Sequence, residues 1–194
     1  MNTLKPLSRI AVALGTIALV ATYFVPLWQI LMWAPQYPEG LTMKIWINTL
    51  SGDVRTISAL NHYIGMRNIE VDMFPEFGYM IYILGFIIAF GLVTALINRR
   101  GVLLAYLMLL LATGLAALVD FYIWGYNYGH NLNPEAPIVI PGMAYQPPLI
   151  GTKILLNFTA FSGPDIGGWI FIFTGVLVAV ISVYEFYFRK NEAK

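Results

Sequence analysis

The chain has no cysteine, and that absence removes disulfides, thiolate metal sites, iron–sulfur clusters and covalent haem attachment. Any metal must then be held by His, Met, carboxylate or carbonyl groups. Charge is scarce as well: 11% of the 194 residues are Asp, Glu, Lys or Arg, where a soluble domain carries about 25%. The net charge of +1 comes without a clustered basic stretch, which argues against a nucleic-acid partner, because phosphate-backbone affinity needs such a surface. No Gly-x-Ser-x-Gly, phosphate-binding glycine loop or His-Glu-x-x-His occurs, so hydrolase and transferase chemistry have no motif to rest on. The expectation is a protein that is not an enzyme.

What the chain has instead is apolar length. Hydrophobic residues make up 59%, and four runs, at about 10–31, 78–97, 102–124 and 167–188, each approach the ~20 residues that a helix needs to cross a hydrocarbon core. The expected fold class is all-α integral membrane: one domain over 1–194, a four-transmembrane-helix bundle with a lipid bilayer around it. Two loops, about 33–77 and 125–168, are expected to form a small mixed α/β lobe. The first run is too long for a signal-peptide core and ends in Tyr23, Phe24, Trp28 and Trp33 without a small-x-small cleavage pattern, so it reads as a retained anchor. Pro26 in its final third predicts a kink.

Lys and Arg near span ends stay on the cytoplasmic side. Lys5 and Arg9 precede the first run, Arg99 and Arg100 separate the second and third, and Arg189, Lys190 and Lys194 follow the fourth. Both termini are then cytoplasmic and both loops periplasmic, in a bacterial inner membrane. Aromatic residues at the opposite boundary, among them Tyr122, Trp124, Tyr126 and Trp169, fit the headgroup belt. Small residues at four-residue spacing, Gly85/Ala89, Gly91/Ala95, Ala112/Ala116 and Gly175/Ala179, permit close helix approach, either within the bundle or with a partner helix. Glu185 precedes Arg189 by four residues, a surface ion pair by spacing.

In the first loop, residues 41–48 carry a strand signal and 56–65 a short-helix signal. The second is crowded with prolines and has to dock on the first to be ordered. Its Ile138-Val139-Ile140 is expected to be a short strand pairing with 41–47, while 152–159 is helix or strand.

The only two histidines, His62 and His130, fall in these loops. Met66 lies four residues after His62, so a helix would place both on one face. With Met43 and Met143 also outside the runs, imidazole and thioether groups make Cu(I) the candidate cofactor, with His62, Met66, His130 and Met143 as metal-site candidates and Met43 beside them. The plainer alternative is that the histidines are hydrogen-bonded structural residues or partner contacts, and methionine is flexible packing. Axial ligation of haem b is a rival, but bundle haems sit among helices. Asp120, close to the end of the third run, is a functional candidate because a charge there needs a partner or water; a structural hydrogen bond is its alternative.

The segments Ala34-Pro35-Gln36-Tyr37-Pro38-Glu39-Gly40-Leu41, Leu60-Asn61-His62-Tyr63-Ile64-Gly65-Met66, Ile140-Pro141-Gly142-Met143-Ala144-Tyr145-Gln146-Pro147-Pro148-Leu149-Ile150-Gly151 and Leu155-Leu156-Asn157-Phe158 resemble a family of small four-span bacterial membrane proteins. The family is similar to the NosB-type protein of clade II nitrous oxide reductase clusters, and the likeness runs over nearly the whole chain. It implies a non-enzymatic accessory that assembles, tethers or supplies copper to a periplasmic copper enzyme, a role that links the chain to denitrification; it carries over no catalytic residue. The functional alternatives are a quinol- or haem b-binding redox module and a structural subunit or anchor of a membrane complex.

Overall fold

The computed structural model describes residues 3–188. In chain order the elements are α1 (Pro6–Ala18, tightening into a 3-10 segment over Leu19–Tyr23), β1 (Trp28–Ala34), β2 (Tyr37–Ile45), β3 (Leu50–Gly52) and α2 (Val54–Tyr63). A short 3-10 turn over Val71–Met73 leads into α3 (Phe77–Ile97), α4 (Arg100–His130), β4 (Gly151–Leu155), β5 (Phe158–Pro164) and α5 (Ile166–Val183), whose last turn, Tyr184–Phe188, widens to a π-helix. Four helices are long and apolar enough to cross a membrane: Pro6–Tyr23, Phe77–Ile97, Arg100–His130 and Ile166–Phe188. The chain is a membrane protein on that ground.

The all-α class is overturned. Five strands form one antiparallel sheet in the order β3-β2-β1-β5-β4, and it is the architecture of one whole end of the molecule. The cause is β1, which lies inside the run read as the first span. That span is corrected from 10–31 to Pro6–Tyr23, and no kinked helix passes through Pro26. Proline has no N–H to give and disfavours helix in the residue before it. After it, Trp28–Ala34 finds hydrogen-bonding partners on both edges, Trp28 opposite Ile45 of β2 and Pro164 of β5. Apart from Gln29 the strand is apolar and it directly follows an apolar helix, so a hydropathy window does not separate the two.

The loops are corrected with it. Residues 138–140 form no strand: β1 and β3 already occupy both edges of β2, and Ile138 donates its N–H to Tyr63 O at 2.9 Å. Residues 152–159 form most of the β4–β5 hairpin. The proline-rich loop does dock on the first loop, through that bond and Asn133 N–H to Gly65 O at 2.8 Å.

The bundle packs around Val12, Leu19, Ile87, Leu103, Tyr106, Leu110 and Val178, all buried. Its buried hydroxyls are matched: Thr16 and Tyr106 hydroxyls are 3.0 Å apart, and Thr174 Oγ1 donates to Gly15 O at 3.1 Å. Gly91 sits at the tightest crossing, where a Cβ would come within 2.5 Å of Thr16 Oγ1 and Tyr106, whereas a Cβ at Gly175 would meet nothing within 4 Å. One of the expected small-residue pairs thus serves packing within the bundle. At the end holding the chain termini, Glu185 is wholly buried rather than on the surface. It accepts hydrogen bonds from Lys5 N and Ser8 Oγ, each at 2.7 Å, and lies 3.5 Å from Arg100 Nη2. The expected partner Arg189, with Lys190 and Lys194, lies outside the described residues.

Sheet and bundle are bolted together at the other end. Asp165 caps α5 by accepting from Ile166 N at 2.7 Å, and Lys44 of β2 reaches its second oxygen at 3.2 Å. The carbonyls of Pro26 and Leu27 accept from Gly167 N at 2.8 Å and Asp165 N at 3.1 Å, tying the exit of the first span to the entry of the fourth.

Candidate functional site

The sheet does not pack flat on its covering elements. Between one of its faces, α2, the segment after α2, the end of α4 and the proline-rich loop lies a cavity of about 300 Å³. Strand alternation places Ile30 and Met32 on one face of β1. Met43, paired with Ile30 on β2, and Ala160, paired with Met32 on β5, join them in the wall. Ile57 and Leu60 of α2, then Ile64, Met66 and Ile69, close the opposite side. The 31 residues of α4 would run roughly 46 Å as a straight helix, well beyond a hydrocarbon core of ~30 Å. Its last turns therefore reach the lobe, where Trp124 and Tyr128 stack at 4.8 Å and line the cavity.

Hydrogen bonds hold this wall in place. Asn61 Nδ2 donates to Tyr128 Oη at 3.2 Å, Tyr128 Oη donates to Arg67 O, and Ser58 Oγ accepts from Ile69 N at 2.9 Å. The proline-rich loop is pinned by Tyr145 N–H to Gly129 O at 2.9 Å. Gly129 is required there, since a Cβ would stand 2.4 Å from the backbone of Gln146. At the far rim, Asn157 Nδ2 of the β4–β5 turn donates to Gln36 Oε1 of the β1–β2 turn at 3.3 Å. Tyr145 is the exception: it lines the cavity, is 2% exposed, and its buried hydroxyl has no hydrogen-bond partner among the described residues.

The expected site residues are distributed around this lobe. Met43 and Met66 are both buried and share the cavity wall. His62 is exposed near the end of α2; Met66 lies beyond the helix, after Gly65 has turned the chain at φ +84°, so the two do not share a helical face. Both still border one shallow cleft with Arg67, Asn68 and Asn131–Asn133. His130 ends α4, stacked on Tyr126 at 4.0 Å with its Nδ1 2.9 Å from Tyr126 O. Met143 is exposed and lines neither the cleft nor the cavity. Asp120 is exposed on α4, within electrostatic reach of Glu76. Among the described residues no three His, Asp or Glu side chains are grouped to hold a metal ion.

Met32 and Tyr145 were the residues that sequence reasoning missed. Met32 was hidden inside the supposed span, although its two-residue spacing from Ile30 was visible. Nothing local in the sequence marks Tyr145.

Fold and site together define a four-span membrane protein with a β-sheet lobe that encloses an apolar cavity. Comparison of the chain with protein-family models, with curated proteins and with solved structures finds no match.

Proposed function

We propose that this chain is a non-enzymatic accessory protein of the bacterial inner membrane, with cytoplasmic termini and a periplasmic lobe that docks and tethers a partner protein. The observation that carries this reading is the β4 edge of the sheet. It has no strand beyond it among the described residues, and its Ile154 is 73% exposed. Lys153, the charge on that strand, is engaged with Gln146 O at 3.0 Å. Ile138, Val139, Ile140, Met143 and Ile150 in the adjoining loop are exposed as well. An open strand edge beside apolar side chains favours pairing with another chain. The opposite edge, β3, is three residues long and offers far less.

The resemblance to NosB-type proteins makes a periplasmic copper enzyme, nitrous oxide reductase, the partner to test first. The lack of cysteine helps, because Ile154→Cys then supplies the only thiol in the chain. With a photoactivatable maleimide on that thiol, spheroplast membranes incubated with the purified reductase should give a single adduct. The same probe at Thr49→Cys, beside β3, should give none. Equal labelling from both positions, or none from Ile154→Cys, would sink the docking reading. Sidedness is tested separately: a membrane-impermeant maleimide should label Ile154→Cys in intact spheroplasts and spare Gly101→Cys at the opposite end.

A further inference from the structure

We propose that the lobe cavity is a binding site for a small, uncharged, flat-ringed molecule bearing a carbonyl oxygen. Three observations converge on it. First, no Asp, Glu, Lys, Arg or His lines the cavity, so a charged ligand would lose its hydration without gaining a counter-charge. The volume of about 300 Å³ falls at the lower end of small-molecule sites.

Second, among the described residues the wall holds one buried side-chain polar atom without a hydrogen-bond partner. Asn61 and Tyr128 serve each other and Arg67 O, and Asn157 serves Gln36. In this wall the Tyr145 hydroxyl is the buried group that has no partner among the described residues. A donor held that way is costly unless an acceptor arrives, and a carbonyl oxygen is an acceptor with no proton of its own to place. The stacked Trp124–Tyr128 pair and the thioethers of Met32, Met43 and Met66 provide flat, polarizable surface for a ring.

Third, the rim carries strain. Leu156 occupies the β4–β5 turn at φ +57°, a conformation in which glycine or asparagine is at ease and leucine is not. It lines the cavity, 38% exposed, with Tyr63 and Ile138 also exposed around the opening. A strained apolar side chain kept at an opening is what closing over an apolar occupant calls for. The floor, by contrast, is buried: Ile30, Met43, Ile57, Met66 and Ala160. The ligand therefore enters past the two turns at the far end of the lobe rather than from the bundle.

The probe is menadione, an uncharged naphthoquinone, measured by equilibrium dialysis against full-length protein in nanodiscs with empty nanodiscs as reference. Saturable binding of one equivalent per chain above the reference is expected. Tyr145→Phe, which keeps the ring and removes the donor, should weaken it by about tenfold. Ala160→Phe should fill the floor and abolish binding, and Leu156→Trp at the exposed rim should do so without entering the core. Uptake no greater than that of empty nanodiscs overturns the proposal. So does binding that survives unchanged in Leu156→Trp and in a folded Ala160→Phe protein. Binding blocked by both fillers but indifferent to Tyr145→Phe overturns the carbonyl assignment. Photo-adduct formation at Ile154→Cys is read independently, so loss of either result leaves the other standing.

Discussion

The bundle and the lobe each have a buried apolar cluster, and the two are built to different standards. In the bundle, helices approach until Gly91 has no room for a methyl group, and the hydroxyls of Thr16, Tyr106 and Thr174 are each matched. Its buried carboxylate, Glu185, is met by a backbone N–H, a hydroxyl and a guanidinium. In the lobe, a comparable cluster surrounds open space, leaves the Tyr145 hydroxyl without a partner among the described residues, as the bundle leaves only Arg100 Nε, and holds Leu156 at a positive φ. Close packing is the rule for protein interiors, and departures from it gather where a protein does something other than hold itself together. The difference is what the proposed division of labour, stability from the bundle and binding in the lobe, rests on.

The severest test of that division is Glu185→Ala. It strips a buried partner from Arg100 and from the start of α1, and should destabilise the bundle by about 3–5 kcal/mol. The readout is the midpoint of unfolding by SDS in mixed micelles, followed by circular dichroism; a midpoint near wild type would show that the terminal end is not closed by this residue. Gly91→Ala comes next, at roughly 1–3 kcal/mol by the same measurement, because the added methyl has only the Thr16 and Tyr106 side chains to displace.

The same kind of enlargement should have the opposite sign in the lobe. Ala160→Val puts extra carbon against the cavity and should stabilise the sheet by roughly 1 kcal/mol, seen as slower hydrogen exchange along β5. Faster exchange would mean that the lobe is as tightly packed as the bundle. Leu156→Asn should gain up to ~1 kcal/mol by relieving the left-handed turn, again by exchange in the β4–β5 hairpin. The smallest change is expected from Tyr145→Phe, within ~0.5 kcal/mol of wild type; a clear loss would reveal a partner for the hydroxyl and would take away one of the contrasts between the two cores.

How much of this was legible in the chain follows the same line. The second and fourth spans were placed to within a residue and the start of the third to within two, because a helix in lipid satisfies its own backbone and needs only apolar length; the third runs on to His130, six residues past the expected end. The first was misplaced at one end. Trp28–Trp33 continues the apolar run with Gln29 as its one polar residue, and what makes it a strand is the presence of Leu41–Ile45 and Thr159–Pro164 on its two edges. A strand at 41–48 and a helix at 56–65 were visible from their periodicity, and the structure sets them at Tyr37–Ile45 and Val54–Tyr63. The pairing assigned to 138–140 failed because register depends on which edges remain free. Of the site residues, Met43 and Met66 were singled out and do share a wall, whereas Tyr145 and Met32 emerged only from packing.

Composition and apolar run length determined by themselves that this is a membrane chain with four spans and two loops, since both act through the solvent that surrounds a segment. The tertiary structure alone decided that the loops join into a five-stranded sheet, that Glu185 is buried against Lys5, Ser8 and Arg100, and that a cavity remains beneath the sheet. Those features arise from contacts between residues distant in sequence: Lys5 meets Glu185 across 180 positions and Trp28 meets Ser162 across 134. Local pattern carries no record of such pairs, because the free energy that selects them exists only once both partners are in place.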